Sequence, residues 1–307
     1  MRKIQYILLG AVLLCPCCRQ VPEAVTFGVV ADIQYDREEA DRMGRHYTLG
    51  ARRLAEAVDS FLVVPGLSFM IDLGDTTDRD YTQYADLSKE KDRLGRPCYN
   101  VFGNHDFRPS VTAGQFAEAA AIKGLWTPYY SFIEGGVRFI FLNSSDIAPH
   151  SSPKDSPDGI AAARWWDDLK ECGAANAKEY NGAMGLAQMN WLSSELEEAD
   201  VAGQPVIIAC HMLLLPPGSA ESLWNSMEVV SILERHPCVK AVFCGHRHSG
   251  GYCERNGIHY MNFMGMVEGD SNRFSVVSIS PKGKDYSEGG TISIDGFGDE
   301  ADRVLGF

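Results

Sequence analysis

The feature that most constrains the fold is a series of short apolar runs, each followed directly by side chains that can bind metal ions or turn the chain. The runs span residues 26–31, 68–73, 98–102, 138–142, 205–210 and 239–244. Their length and nearly continuous hydrophobicity are typical of strands that are covered on both faces. Helical apolar periodicity at residues 49–62 and 189–199 indicates helices between them.

After residue 257 the pattern changes to strands, at residues 258–263, 274–279 and 291–294. Strands that alternate with helices and are then followed by consecutive strands predict an α/β fold, a layered sandwich with more than one sheet. No repeat or low-complexity linker divides residues 19–307, so we predict a single domain. Residues 147–184 have little strand character and are expected to form a surface excursion near the site.

Residues 1–18 are predicted to be an export signal. Arg2 and Lys3 precede an apolar run of eleven residues, 4–14, which is too short to span a bilayer as a helix but fits the core of a signal peptide. Cys15, Cys17 and Cys18 follow the run, so lipid attachment at one of them stays open beside simple cleavage. We therefore expect a periplasmic or cell-surface protein that contacts the membrane only through this signal or anchor.

Charge excludes one class of partner. The chain has 28 Lys and Arg against 41 Asp and Glu, a net charge of −13, and so lacks the basic composition of a nucleic-acid binder. An anionic substrate must then meet a local positive centre, which metal ions can provide.

Six cysteines remain after the leader, an even number that an exported protein can pair, and the sequence does not say which would pair. Cys210 and Cys244 lie in apolar runs and are predicted to be buried thiols.

The candidate site consists of the polar residues at the ends of five runs: Asp32 and Gln34, then Asp75 and Asp78, then Asn104, His105 and Asp106, then His211, and finally His246 and His248. Taken alone, the first two groups are compatible with a turn or a helix cap and His211 with a hydrogen-bonded core histidine, whereas residues 103–106 are more specific. Ligands of open α/β sheets bind beyond the carboxyl ends of the strands, so the five groups together predict one site.

The mixture of donors indicates a pair of divalent ions. Two such ions lie about 3.5–4 Å apart and repel each other, and a shared carboxylate, for which Asp75 is the candidate, offsets the repulsion. His246 and His248 point to the same side of an extended segment, and Gly103 and Gly245 let the backbone turn sharply beside the metals. Oxygen donors mixed with imidazoles suit manganese or iron better than a closed tetrahedral zinc site.

These motifs resemble the calcineurin-like metallophosphoesterase superfamily over residues 26–280: Asp32-x-Gln34, Gly74-Asp75-x-x-Asp78, Gly103-Asn104-His105-Asp106, His211 and Gly245-His246-x-His248. The superfamily usually has histidine where Gln34 stands, and Asp-x-Gln is similar to the manganese-dependent ADP-ribose/CDP-alcohol diphosphatase group. Residues 188–192, 248–253, 257–259 and 265–268 also look like segments of that group. The resemblance implies an αββα sandwich of two mixed β-sheets flanked by helices, with the metal site at the C-terminal ends of the strands.

The resemblance also implies roles for the site residues. One metal would be held by Asp32, Gln34, Asp75 and His248, and a second by Asp75, Asn104, His211 and His246. A hydroxide bridging the ions would attack phosphorus in line. His105 would protonate the leaving oxygen or stabilise its charge, and Asp106 and Asp78 would orient the ligands or His105. The amide of Gln34 favours a hard ion, so Mn²⁺ is expected first, with Fe, Mg²⁺ or Zn²⁺ as alternatives.

The predicted function is hydrolysis of the diphosphate bond of a nucleoside diphosphate conjugate, of the ADP-ribose or CDP-alcohol type. One alternative is a phosphodiesterase or phosphatase that acts on another exported phosphoester. Another, from a different class, is a non-catalytic protein that binds phosphorylated ligands on the same scaffold. The sequence makes no prediction of oligomeric state.

Further residues are weaker candidates for substrate contact. Arg45, His46 and Tyr47 fit either a phosphate contact or the exposed start of a helix, and Trp165 and Trp166 fit either stacking on a base or packing beneath the excursion. Phe107, Arg108, Tyr252 and Cys253 are expected near the pocket. His150, His236 and His259 receive no role.

Overall fold

The structure, a computed structural model, describes residues 24–108, 112 and 114–307. The predicted export signal and its three cysteines lie outside these residues and stay a prediction. Among the helices of the described residues, none combines the length and the apolarity needed to cross a membrane.

Two mixed six-stranded sheets form the centre of the molecule. The strands of the first sheet are, in spatial order, β12 (Arg303–Gly306), β11 (Gly290–Phe297), β10 (Phe274–Pro281), β1 (Val25–Val30), β2 (Leu67–Asp72) and β3 (Cys98–Asn100). The strands of the second are β4 (Tyr130–Glu134), β5 (Val137–Phe141), β6 (Val206–Ala209), β7 (Val239–Cys244), β9 (Ile258–Asn262) and β8 (Gly251–Arg255). In the first sheet β2 pairs in parallel with both β1 and β3. In the second sheet the neighbours β5, β6, β7 and β9 are all parallel, so the carboxyl ends of these strands lie at one edge of each sheet.

Helices cover the outer face of each sheet. On the first sheet they are α1 (Gly50–Leu62) and α2 (Tyr84–Arg93), and on the second they are α5 (Leu186–Ala202) and α6 (Ser226–Leu233), whereas α3 (Gln115–Ile122) and α4 (Pro157–Glu171) pack in two separate clusters. Leu54 and Phe61 of α1 pack on the first sheet beside Met70, and Leu192 of α5 and Val230 of α6 pack on the second. The predicted αββα sandwich is confirmed.

An aromatic core lies between the two sheets. The ring of Phe27 stacks on that of Phe69 at 4.9 Å and meets Phe139 of the opposite sheet edge-on at 5.4 Å. Complete burial of each such ring contributes about 1.5–3 kcal/mol. This packing holds the two sets of strand ends against each other, which is the requirement for a site built from both sheets.

All nine predicted strands are present, with shifts of up to two residues at most ends. The sequence missed β4, β8 and β12. These three lie at sheet edges and keep partly exposed side chains, so they lack the continuous apolar runs that reveal covered strands. It also missed α2, α3, α4 and α6, of which α2 carries mostly charged and polar residues.

Candidate metal centre

The backbone turns abruptly at the strand ends that carry the predicted ligands. Asp32, Gln34, Asp75 and His246 adopt left-handed conformations, with φ of 50°, 43°, 53° and 71°. Such angles are uncommon for residues other than glycine and cluster at functional sites. The turns carry these side chains out of their strand directions and toward one another.

Two glycines permit the close approach of these turns. A Cβ atom on Gly103 would lie 2.1 Å from Oδ1 of Asp75, and one on Gly245 would lie 2.7 Å from Oδ2 of Asp32. Both distances are far shorter than van der Waals contact. The loops after β3 and β7 can therefore pack against the two carboxylates only because they carry glycine there.

The predicted ligands form two groups that share Asp75. In the first group, Nε2 of His248 lies 3.3 Å from Oδ1 of Asp32 and 3.2 Å from Nε2 of Gln34. Nε2 of Gln34 in turn lies 3.2 Å from Oδ2 of Asp75.

In the second group, Nε2 of His211 lies 3.3 Å from the same Asp75 oxygen and 3.1 Å from Nδ1 of His246. Asn104 lines the cavity beside Asp75. The structure therefore brings the predicted ligands together around Asp75, and the two ligand sets that the family resemblance implied stay a prediction.

Each histidine is oriented through its other ring nitrogen. Nδ1 of His211 is hydrogen-bonded to the carbonyl oxygen of Leu73 at 2.8 Å. Nε2 of His246 meets Oδ1 of Asn181 at 2.9 Å, and Nδ1 of His248 meets Glu268 at 2.8 Å. Such outer partners fix the ring and leave one nitrogen for a metal ion.

The donor set fits cations on two observations. One ligand atom from each of Asp75, His211 and His246 lies within 4.8 Å of the others. In addition, Oε1 of Gln34 and Oδ1 of Asn104 are buried without a hydrogen-bond partner, which is costly for polar oxygens unless something coordinates them.

The electrostatics favour positive charge at the same place. Burial lowers the pKa of an imidazole, yet the carboxylate of Asp75 outweighs burial and raises the pKa of His211 to about 10. Burial also lowers the pKa of His248, but the charge of Asp32 outweighs it and raises this pKa to about 9. For Asp75 itself, burial would raise the pKa, but His211 and His105 hold it well below its ordinary value. The carboxylates thus stabilise positive charge at His211 and His248, whereas burial and the charge of His211 lower the pKa of His246.

His105 lies apart from the ligand histidines and faces the cavity. Its Nδ1 is bound to the carboxylate of Asp78, and its backbone N–H donates to Oδ1 of Asp75 at 2.7 Å. The ring is therefore fixed through Nδ1, and Nε2 is left for a substrate.

Asp106 does not line the cavity. Its buried carboxylate accepts backbone N–H groups from Gly103 at 2.9 Å, Asp75 at 3.1 Å and Thr76 at 2.9 Å, and it pairs with Nζ of Lys123 at 2.6 Å. This geometry fits the orienting role that the resemblance implies for Asp106 and not a direct part in proton transfer to the substrate.

A cavity of about 720 Å³ opens above the centre. It is lined by Gln34, Arg45, Asp75, Arg79, Asn104, His105, Phe107, Arg108, Pro149, His150, Glu179, Tyr180, Glu221, Arg247, Ser249 and the two histidines of the last motif. The expected positions of Phe107 and Arg108 are borne out, and the excursion does reach the site. His150, which received no role, lies in the wall, and burial lowers its pKa to about 4.

Several weaker candidates lie elsewhere. Trp165 and Trp166 pack with Trp224 beneath the excursion, so stacking on a substrate base was the wrong alternative. Tyr252 and Cys253 are on β8, at the far edge of the second sheet and outside the cavity, because β9 separates that strand from β7.

Of the three candidates Arg45, His46 and Tyr47, which precede α1, only Arg45 lines the cavity. His46 pairs with Asp41 at 2.7 Å, and the ring of Tyr47 is buried.

The sequence missed Asn181, Glu268 and Lys123, which act through other residues. Glu268 belonged to a segment that supported the resemblance, but it was given no role. Lys123 looked like an ordinary surface lysine, and the excursion offered no pattern that would single out Asn181.

All six cysteines of the described residues are free thiols. Cys210 and Cys244 are buried as predicted, with their Sγ atoms 3.5 Å apart.

Comparison with known proteins connects this geometry to a family. The sequence profile of the calcineurin-like phosphoesterases matches residues 25–250. The manganese-dependent ADP-ribose/CDP-alcohol diphosphatase of Oryza sativa subsp. japonica is 28% identical over 79% of this chain and 84% of its own. A 3′,5′-cyclic-nucleotide phosphodiesterase of Nostoc is 26% identical over 66% of this chain and 67% of its own. A dimetal phosphatase from Danio rerio has a similar fold, with a TM-score of 0.79, 21% identity and coverage of 92% of this chain and 99% of that one.

Proposed function

Because the chain belongs to the calcineurin-like phosphoesterase family and is a metal-dependent hydrolase, we propose that it cleaves the diphosphate bond of nucleoside diphosphate conjugates. ADP-ribose and CDP-alcohols are the substrate types in question. The proposal names the bond and the substrate, which the family alone does not choose.

One observation carries the proposal. Gln34 replaces the usual histidine, and its Oε1 is buried without a partner among the proposed ligands. The diphosphatase from rice, whose name specifies both manganese and these substrates, resembles this chain over most of both lengths. An amide oxygen is a harder ligand than an imidazole, so this position supports Mn²⁺.

We assign one ion to Asp32, Gln34, Asp75 and His248, and the other to Asp75, Asn104, His211 and His246. When bound, such ions supply a Lewis acid for the phosphoryl oxygens and lower the pKa of a water molecule. The protein supplies the rest. Asp78 holds the ring of His105, whose Nε2 can give a proton to the departing phosphate oxygen. The loop amides around Asp106 keep Asp75 and Asn104 in place.

A direct test measures product release from ADP-ribose and CDP-choline by the purified protein with Mn²⁺, Mg²⁺ or a chelator. We expect Mn²⁺-dependent release of two phosphomonoesters, reduced about 10²–10⁴-fold in His105→Ala. The His236→Ala variant, whose ring pairs with Asp200 at 2.7 Å and lies outside the cavity, serves as the control.

A phosphodiesterase is the second candidate, and the similarity to the cyclic-nucleotide enzyme favours it. Faster hydrolysis of 3′,5′-cyclic AMP or bis-p-nitrophenyl phosphate than of either diphosphate would replace the first proposal with the second. Metal binding without turnover of any of these substrates would instead support a phospho-ligand-binding protein.

A further inference from the structure

Four arginines line the cavity above the proposed metal centre. Three of them are paired with carboxylates: Arg45 with Glu268 at 2.9 Å, Arg108 with Asp80 at 3.0 Å and Arg247 with Glu221 at 3.1 Å. Across residues 24–108, 112 and 114–307, no carboxylate is close enough to Arg79 to form an ion pair. Arg79 is thus a positive charge of the cavity that the described protein itself does not neutralise.

The backbone of Arg79 is fixed beside His105. Arg79 directly follows Asp78, which holds the His105 ring, and its own N–H donates to the carbonyl oxygen of His105 at 2.6 Å. It adopts φ of 63°, a left-handed conformation that arginine rarely takes. The turn after Asp78 therefore places this side chain and the His105 ring at the same part of the cavity wall.

We propose that the guanidinium of Arg79 binds the departing phosphate and so selects diphosphates over simple phosphodiesters. The inference rests on the proposed function, in which His105 marks the position of the leaving oxygen. Hydrolysis adds water to one phosphorus, breaks its bond to the bridging oxygen and leaves that electron pair on the second phosphate. The second phosphate also carries charge from its own oxygens, which an alcohol or phenol leaving group lacks.

The chemistry of arginine suits this task. A guanidinium donates two parallel hydrogen bonds to phosphate oxygens and stays charged at any working pH. The other three arginines would have to exchange an existing ion pair for the new contact, which offsets most of the gain. Arg79 has no such pair to give up.

The experiment compares two nucleotide substrates that differ in the leaving group. CDP-choline departs with a phosphate, whereas the p-nitrophenyl ester of thymidine monophosphate departs with a phenolate. Arg79→Asn removes the charge with a residue that tolerates the left-handed conformation. We expect kcat/KM for CDP-choline to fall about 10- to 100-fold, as for loss of a charged hydrogen bond, and that for the phenyl ester to change less than about twofold.

Arg79→Lys keeps the charge without the paired donors and should recover part of the loss. Arg52→Asn, on the exposed side of α1 where the arginine pairs with Glu56, is the matched control and should match the wild type on both substrates. Equal losses on both substrates in Arg79→Asn, or no loss on either, would overturn the inference while the wild type still cleaves diphosphates. If the wild type cleaves the phenyl ester but no diphosphate, the proposed function fails instead.

Discussion

The proposed metal centre and the cavity above it are built in opposite ways. The proposed metal-binding floor, formed by the loops after β1, β2, β3, β6 and β7, consists mostly of buried side chains. Hydrogen bonds or ion pairs hold most of their polar atoms, and the exceptions are Oε1 of Gln34 and Oδ1 of Asn104. The cavity wall, formed by Arg79, Arg108, residues 149–150 and 179–180, Glu221 and Arg247, consists of half-buried or exposed side chains on irregular segments. Two lysines behind the floor, Lys91 and Lys123, are buried, whereas the arginines of the wall line the open cavity.

This difference indicates that the floor, and not the wall, has to be rigid. Lys123 pairs with Asp106 and Lys91 pairs with Asp72, both at 2.6 Å. Thr76 joins the two pairs, because its hydroxyl accepts from Lys123 at 2.9 Å and donates to Asp72 at 2.8 Å. Metal ligands must be positioned closely, so they are fixed by such networks. Groups that select a substrate can be exchanged on the wall while the floor stays the same.

Asp75→Asn is expected to have the largest effect on the floor. The amide keeps the shape but cannot supply the charge that two adjacent cations share, so we expect kcat to fall more than about 10³-fold and the metal content to drop from two ions toward one. Metal analysis and turnover of CDP-choline measure the two effects. Asp155→Asn, at an exposed position, should change neither. Full activity with two bound ions would remove Asp75 from its bridging role.

Lys123→Met tests whether the floor depends on the pairs behind it. Removing one partner leaves the buried carboxylate of Asp106 without its cation, which costs about 3–5 kcal/mol of the free energy of unfolding. Urea denaturation measures the loss. Lys89→Met, on the exposed face of α2, should stay within about 0.5 kcal/mol of the wild type.

Replacing both partners, in Asp106→Asn with Lys123→Met, removes the unpaired charge but should recover little of that stability, because the amide nitrogen replaces an oxygen that accepts backbone N–H groups. A loss below about 1 kcal/mol in the single variant would show that backbone amides alone suffice for Asp106.

The same division explains how much could be predicted from the sequence. The side chains of the floor could be predicted to lie together because each follows an apolar run that indicates a covered strand. Lys91 and Lys123 could not be predicted in this way, since a buried lysine in a helical segment has the same local pattern as an exposed one. The wall was hardest to predict. Tyr180 and His150 lie on the excursion, where neither a strand period nor a helix period places a side chain.

Asn181→Ala tests the point where the wall supports the floor. Asn181 is buried at the end of the excursion, and its Oδ1 meets Nε2 of His246. Loss of such an outer partner weakens metal binding about 10- to 100-fold, which titration with Mn²⁺ measures. Asn181→Asp keeps the acceptor and should retain most of the affinity. Equal Mn²⁺ affinities in the wild type and both variants would mean that the excursion contacts the substrate but does not support the metal ligands.

The smallest expected effect is a dependence of stability on pH from the pair behind the floor. Burial would raise the pKa of Asp72, but Lys91 and Lys123 outweigh it and hold the pKa below the ordinary value of 3.8. Because the folded pKa is the lower one, the stabilisation is complete above pH 3.8 and is lost as the pH falls through the folded value.

The double variant Asp72→Asn with Lys91→Met removes this titration without leaving a buried charge. Its free energy of unfolding should therefore decline less steeply in acid than that of the wild type, by at most about 1.4 kcal/mol per pH unit. Urea denaturation between pH 2.5 and 5 measures the two slopes. Parallel slopes would show that Asp72 titrates alike in both states, and the floor would then owe its rigidity to packing and backbone hydrogen bonds rather than to this charge pair.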